Sequence, residues 1–149
     1  MGTHYQGGEA VRAALDSYIK LLRATEAVTS GLNSRIVAAG LTWSQFGALE
    51  ALLHRGSMCQ RDLGEKLLKS TGNVTMVVDN LEKRGLVRRE RSAEDRRYIT
   101  VHLTDTGREL IERLFPEHAA AIAARMSVLE PEELAELGRL CKKLGLGAP

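Results

Sequence analysis

At 149 residues, with 44% hydrophobic and 27% charged content and a net charge of +2, the chain has the size and balance of one soluble globular domain, with no second domain expected. Two cysteines, Cys59 and Cys141, exclude a disulfide framework, and no stretch resembles a signal peptide or is long enough to cross a bilayer, so a reducing cytoplasm without membrane attachment is the expected setting. One Trp, three Tyr and two Phe point to aliphatic helix packing, and His4, His54, His102 and His118 fall in no metal-ligand spacing, so no metal or cofactor is expected.

Residues 1–8, ending in Gly7-Gly8, read as a lead-in. A long helix is then predicted over 9–39, because Val11, Leu15, Tyr18, Ile19, Leu22, Thr29, Leu32 and Ile36 recur at steps of three and four. A helix of that length outruns a small domain, so part of its apolar face is expected to meet another chain. Thr42-Trp-Ser-Gln45 fits a capping box opening a second helix that runs to about His54 and buries Phe46, Leu49, Leu52 and Leu53. Ser57-Met-Cys-Gln60 repeats that pattern, with Ser57 as cap, ahead of a short third helix over 58–67 that buries Leu63 and Leu67.

The next helix, Ser70 to Gly85, has chemically different faces. Ser70 can cap it and Gly85 can take the left-handed conformation that ends it. Val74, Val77, Val78 and Leu81 form the stripe to be buried. The opposite side collects Gly72, Asn73, Met76, Asp79, Asn80 and Lys83, with Thr75 on its flank. Amide, hydroxyl and methyl groups of this kind match the edge atoms of base pairs, Gly72 permits close approach, and the helix N-terminus around Lys69, Ser70 and Thr71 offers free N–H groups to a phosphate. A short helix, a brief turn and a longer amphipathic helix make a helix-turn-helix, which projects its second, recognition helix into the major groove. Asp79 is an awkward member of that face and is expected to lie beyond the reach of phosphates.

After Gly85 the period shortens to two. Residues 86–91 and 98–103 read as two strands joined by the polar turn 92–97, a hairpin wing. From Lys83 to Arg97 there are seven bases against three acids, so the cationic charge gathers just after the recognition helix. Arg91, Arg96 and Arg97 bracket the turn and suit the narrow minor groove, and Asp95 is placed to orient Arg91 or Arg97. Thr104 can cap a fourth long helix that Pro116 should kink, and Pro131 opens a final helix carrying Leu134, Leu137, Leu140 and Leu144. The predicted architecture is mainly α (α+β): a winged helix-turn-helix lobe over 42–104 with a two-stranded wing, flanked by dimerisation helices at 9–39 and 105–146.

This order of elements resembles the MarR family of bacterial winged-helix transcription regulators over essentially the whole chain. The likeness rests on Asp95-x-Arg97, on Leu103-Thr104 followed by Gly107, and on Leu81-Glu-Lys-Arg-Gly-Leu-Val-Arg88 at the exit into the wing. It implies a homodimer that binds double-stranded DNA at a pseudo-palindrome, one recognition helix per half-site, with Asn73, Thr75, Met76 and their neighbours reading bases and Arg96 and Arg97 reaching the minor groove. It also implies a repressor released by a small, often phenolic, ligand or by thiol oxidation. Residues 60–91 look similar to a quinone-responsive branch.

Two local readings bear on release. Cys59, read as lying in the first turn of the third helix, is a candidate thiol sensor, although its register with Leu63 and Leu67 equally suits a buried thiol. Trp43, Phe46 and His54 are candidates for lining a ligand pocket, and equally for core packing. Cys141, in the stripe of Leu137 and Leu144, is expected to pack in a core. Two other functions compete. A winged-helix protein-interaction module is disfavoured by the lack of large apolar side chains on the outward face apart from Met76. An enzyme is disfavoured because no nucleophile has a base at usable spacing and no phosphate-cradling loop is present.

Overall fold

The computed structural model describes residues 2–67 and 71–147, Thr71 by its backbone alone. The elements run α1 (Glu9–Thr29), α2 (Asn33–Ala38), α3 (Trp43–Arg55), β1 (Met58–Cys59), α4 (Gln60–Lys66), α5 (Thr71–Lys83), β2 (Val87–Arg91), β3 (Ile99–Leu103), α6 (Asp105–Met126) and α7 (Pro131–Gly147). They form two compact units, one of Asn33–His118 and one of Met1–Leu32 with Ala119–Pro149. The first contains α2 to β3 and α6 as far as His118, and is therefore wider than residues 42–104.

Three features differ from the sequence reading. The helix expected over 9–39 is interrupted after Thr29. Thr25 and Thr29 turn their hydroxyls back onto the carbonyls of Leu21 and Thr25, Gly31 follows, and Arg125 Nη1 donates to the Ala27 carbonyl at 2.7 Å. Hydroxyls that bond back to the preceding turn weaken a helix, and an outside donor satisfies a carbonyl that the ladder leaves open. The apolar periodicity runs through this break because Leu32 and Ile36 are both buried.

The second difference is at Met58–Cys59, which is a strand and not the first turn of a helix. It pairs antiparallel with β3, Met58 opposite Val101 and Cys59 opposite Thr100, so the sheet has three strands in the order β1-β3-β2. The Ser57–Gln60 capping box therefore does not form. Ser57 Oγ instead lies 2.7 Å from His102 Nδ1 on β3, and Gln60 Nε2 donates to Thr75 Oγ1 on α5 at 3.1 Å. Third, Cys141 is exposed in the single chain, because α7 buries none of its residues there. α6 continues as one helix through Pro116.

The capping box at Thr42 does form. Thr42 Oγ1 accepts from the Gln45 N–H at 3.2 Å and Gln45 Oε1 accepts from the Thr42 N–H at 3.0 Å. Such a cap stabilises by about 1 kcal/mol. The core of this unit draws Phe46, Leu49 and Leu52 from α3, Leu63 from α4, Val74, Val78 and Leu81 from α5, Val87 and Val101 from the sheet and Ile111 from α6. The recognition helix is thus held by its entire apolar stripe.

Its exit is held as firmly. Gly85 stands at φ 69°, its N–H donates to Glu82 O at 2.9 Å and the Leu86 N–H donates to Leu81 O at 3.0 Å, the paired closure that ends a helix on a left-handed residue. Thr104 Oγ1 then donates to the Gly85 carbonyl at 2.6 Å and accepts from the Gly107 N–H at 3.1 Å, while the Thr104 N–H donates to Leu86 O at 3.1 Å. A Cβ on Gly107 would collide with the Leu86 carbonyl oxygen. The Leu-Thr-x-x-Gly run is therefore the saddle on which the turn between α5 and β2 sits.

In the other unit, α1 and α7 bury no residue in the single chain. Val11, Tyr18, Leu21 and Leu22 on α1, and Leu137, Leu140 and Leu144 on α7, are exposed. α7 begins at Pro131 as its sequence indicates, with Glu133 Oε2 accepting from the Glu130 N–H at 2.9 Å. Among the described residues no helix is long and apolar enough to cross a membrane.

Two expectations follow from this packing. Gly107→Ala must push α6 away from the Leu86 carbonyl and should cost about 1–3 kcal/mol, read as a lower denaturant midpoint, and an unchanged midpoint would contradict the saddle. The second concerns His118, which is only 8% exposed, 4.6 Å from the Phe46 ring and 5.6 Å from that of Trp43. Burial holds its imidazole below the ordinary value of 6.5, against a smaller opposing pull from Glu50. The unfolded ring therefore takes up a proton near 6.5 that the folded ring refuses, so stability present above that pH is lost as pH falls below it. Thermal melts should show the native protein losing more stability than His118→Gln on going from about pH 7.5 to 5.5, and parallel losses would refute the assignment.

Candidate nucleic-acid interface

Because Val74, Val78 and Leu81 are spent in the core, with Val77 half-buried beside them, α5 turns Gly72, Asn73, Met76, Asn80 and Lys83 to the surface. Met76 is 63% exposed, a large thioether left in solvent in the middle of an otherwise polar face. Thr42, Ser44 and Gln45 at the start of α3 border Asn73, Met76 and Asn80 across a recess of about 360 Å³. Thr75 sits on the flank, half-buried, its hydroxyl accepting from Gln60. Lys69 and Ser70 lie outside the described residues, as does the side chain of Thr71.

The acids of α5 are drawn to one side. Arg89 on β2 donates from its backbone N–H to Glu82 Oε1 at 2.9 Å, from Nε to Glu82 Oε2 at 3.1 Å, and from Nη2 both to Glu82 Oε2 at 2.8 Å and to Asp79 Oδ1. The side-chain and backbone bonds from Arg89 hold the Glu82 carboxyl below the usual glutamate range, against a smaller desolvation effect. Asp79, the awkward acid of the outward face, is thereby tied to the wing strand. The sequence held one signal for this bond. Arg89 occupies the β2 position on the same face as buried Val87, where an arginine requires partners. At the same end of α5, Arg84 donates from Nη1 to Gly40 O at 2.6 Å and from Nη2 to Ala39 O at 3.2 Å, closing the carbonyls that follow α2.

The wing is a five-residue antiparallel pairing in register from Val87 opposite Leu103 to Arg91 opposite Ile99. Its turn is shaped by two side chains. Ser92 Oγ accepts from the N–H groups of Glu94 and Asp95 at 3.2 and 3.3 Å. Asp95 accepts from the Arg97 N–H at 3.0 Å, from its Nε at 3.1 Å and from its Nη2 at 3.2 Å. Those bonds hold the Asp95 carboxyl below the usual aspartate range. Arg97 is the partner of Asp95, and its guanidinium remains on the surface with 92% of the side chain exposed. Arg96 is exposed beside it, and Arg91 folds inward to donate to the Arg96 carbonyl at 3.2 Å. His102 Nδ1 lies 2.7 Å from the Ser57 hydroxyl, and its Nε2 stands 3.1 Å from Glu90 Oε2 without making a hydrogen bond to it.

Among the described residues the candidate effector residues fall into two groups. Trp43 and Phe46 share His118, whereas His54 meets Phe115 at 4.5 Å and has its Nδ1 3.0 Å from the Glu50 carbonyl, which accepts from the ring N–H of the Nδ1-protonated tautomer. The recess beside Phe46 and His118 measures about 10 Å³, room for no more than a water. Cys59 is a free, buried thiol that lines a separate recess of about 350 Å³ with Arg61, Asp95, Arg97 and Tyr98. Sequence reasoning singled out neither Arg61 nor His118; both are brought to these places by the three-stranded sheet and by α6.

Residues 39–97 match the MarR family. The chain is 36% identical over 135 residues to the HTH-type transcriptional regulator MhqR of Bacillus subtilis, covering 91% of this chain and 93% of that protein. It is 30% identical over 109 residues to the HTH-type transcriptional repressor MdtR of the same organism, covering 73% and 70%. Its fold is that of Sco3205 from Streptomyces coelicolor, a MarR family transcriptional regulator solved in complex with DNA, with a TM-score of 0.84 at 24% identity over 97% of this chain and 91% of that one. A neutral amide-and-methyl helix face, a cationic hairpin beside it and full-length likeness to such regulators make this chain a member of the MarR family of winged helix-turn-helix transcriptional regulators.

Proposed function

We propose that the chain acts as a homodimeric repressor that binds a pseudo-palindromic site in double-stranded DNA. The observation that carries this reading is the pairing of a hydrogen-bonding, amide-rich face on α5 with a wing whose tip exposes Arg96 and the Asp95-held guanidinium of Arg97. Asn73 and Asn80 have the donor and acceptor spacing for adenine edges, Met76 can meet a thymine methyl, and Gly72 lets the helix backbone approach the groove floor. Arg96 and Arg97 suit the adjacent minor groove, while Lys83 and Arg91 neutralise nearby phosphates. Lys69, Ser70 and Thr71 complete the reading as phosphate contacts at the start of α5.

Dimerisation is supported by the apolar stripes of α1 and α7, which leave Val11, Tyr18, Leu22, Leu140 and Leu144 exposed in the single chain. An exposed apolar surface of that extent belongs to an interface, and a two-fold axis presents the two recognition helices to half-sites about one helical turn apart. The repressor assignment is supported by the likeness to MdtR, a transcriptional repressor. For release we propose a small phenolic or quinone-like effector, or modification of Cys59 in its recess beside Arg61 and Arg97. Use of the winged helix as a protein-interaction module instead would leave the wing cations without phosphates to neutralise.

The division of labour is open to a direct test on a duplex selected by the protein from a random pool. Asn73→Ala should relax preference at one base pair by about 1–3 kcal/mol, whereas Arg97→Ala should weaken binding to all duplexes alike and reduce the salt slope by about one. Uniform weakening by both substitutions would contradict it.

A further inference from the structure

The four bonds that Arg89 makes to Glu82 and Asp79 join the wing strand directly to the recognition helix, across the turn that separates them. Three of the five side-chain N–H groups of Arg89 are committed to carboxylates, and only 24% of the side chain is exposed, in contrast to the 92% of Arg97. Arg89 is therefore badly placed to serve a phosphate and well placed to fix geometry. Glu82 and Asp79 stand three residues apart on α5, so a planar guanidinium bridging both resists rotation of the helix about its axis as well as tilting away from β2. The backbone N–H of Arg89 adds a bond that depends on strand register and not on the arginine side chain.

We propose that Arg89 is a positioning residue for DNA binding: by clamping Glu82 and Asp79 from β2 it sets the angle between recognition helix and wing, and thereby the specificity of the pair, without touching DNA. The inference rests on the DNA-binding reading above. Loss of the clamp leaves each contact residue intact and misaligns the two surfaces relative to one another, so a duplex that needs both in register suffers more than one that is held by charge alone.

The test compares the full-length native protein, Arg89→Ala, and the triple variant Arg89→Ala/Asp79→Asn/Glu82→Gln. The triple variant removes the carboxylates that would otherwise be left unpaired, and so stays folded if the single one does not. Affinity is measured by fluorescence anisotropy for the duplex selected by the native protein and for a random duplex, each across a series of salt concentrations, with thermal melts run alongside. The expected result, in whichever variant melts cooperatively, is a ratio of selected to random affinity lower by about tenfold with the salt slope of the native protein retained. A purely structural role for Arg89 lowers the folded fraction and so reduces both affinities together, leaving the ratio where it was.

A folded triple variant with the native ratio overturns the proposal. So does a salt slope smaller by about one, which identifies Arg89 as a phosphate contact. Failure of the native protein to bind any duplex at low salt would instead overturn the DNA-binding reading, and this inference with it.

Discussion

The structure turns on how the chain leaves its recognition helix. Four carbonyls at a helix end have no partner of their own, and here they coincide with a reversal into a β-strand. Gly85 supplies the left-handed turn, the backbone closes on Leu81 and Glu82, and Thr104 occupies the Gly85 carbonyl while capping α6. One threonine hydroxyl thus serves two helix ends. Gly107 then lets α6 lie directly on the Leu86 carbonyl. If that turn shifts, the direction of α5, the start of β2 and the seat of α6 shift with it.

Around this fixed point the chemistry is partitioned. Aliphatic side chains on α5 are consumed by the core, and its outward face is left with amides, a thioether, one glycine and Lys83 at its end. Its acids are drawn to the flank by Arg89, and Arg96 and Arg97 are exposed at the wing tip. A hydrogen-bonding helix face beside a cationic hairpin tip suits a separation of specificity from affinity in DNA recognition, since base edges carry sequence information and phosphates do not. Asp95 contributes by fixing an arginine that it cannot replace, an acid next to a polyanion being tolerable only when it is already paired.

Much of this was legible in the sequence. The stripe of Val74, Val78 and Leu81, the capping box at Thr42, the hairpin alternation and the Asp95–Arg97 pair are local patterns, set by residues a few positions apart, and local patterns survive tertiary folding. What was not legible depended on distant partners. Met58–Cys59 reads as a helix start because Ser57 and Gln60 are spaced like a capping box, yet β3 offered that backbone a better set of hydrogen bonds. The break after Thr29 was hidden because Leu32 and Ile36 continue the apolar period on the far side of it. His118 is ordinary in sequence and becomes unusual only when α6 lays it against Phe46 and Trp43. Of the candidate interface, the outward face of α5 and the cationic wing tip are legible in the sequence, whereas the Arg89 bridge between them has only one signal, an arginine in register with buried Val87, which does not say which carboxylates it meets.

The proposed function requires two copies of this chain to read DNA in register through α5 and the wing. Selection of bound duplexes from a random pool tests that most directly. Recovery of an inverted repeat whose half-sites lie about 10 base pairs apart is the predicted outcome. Recovery of no enriched sequence, or of a single unpaired half-site, would contradict it.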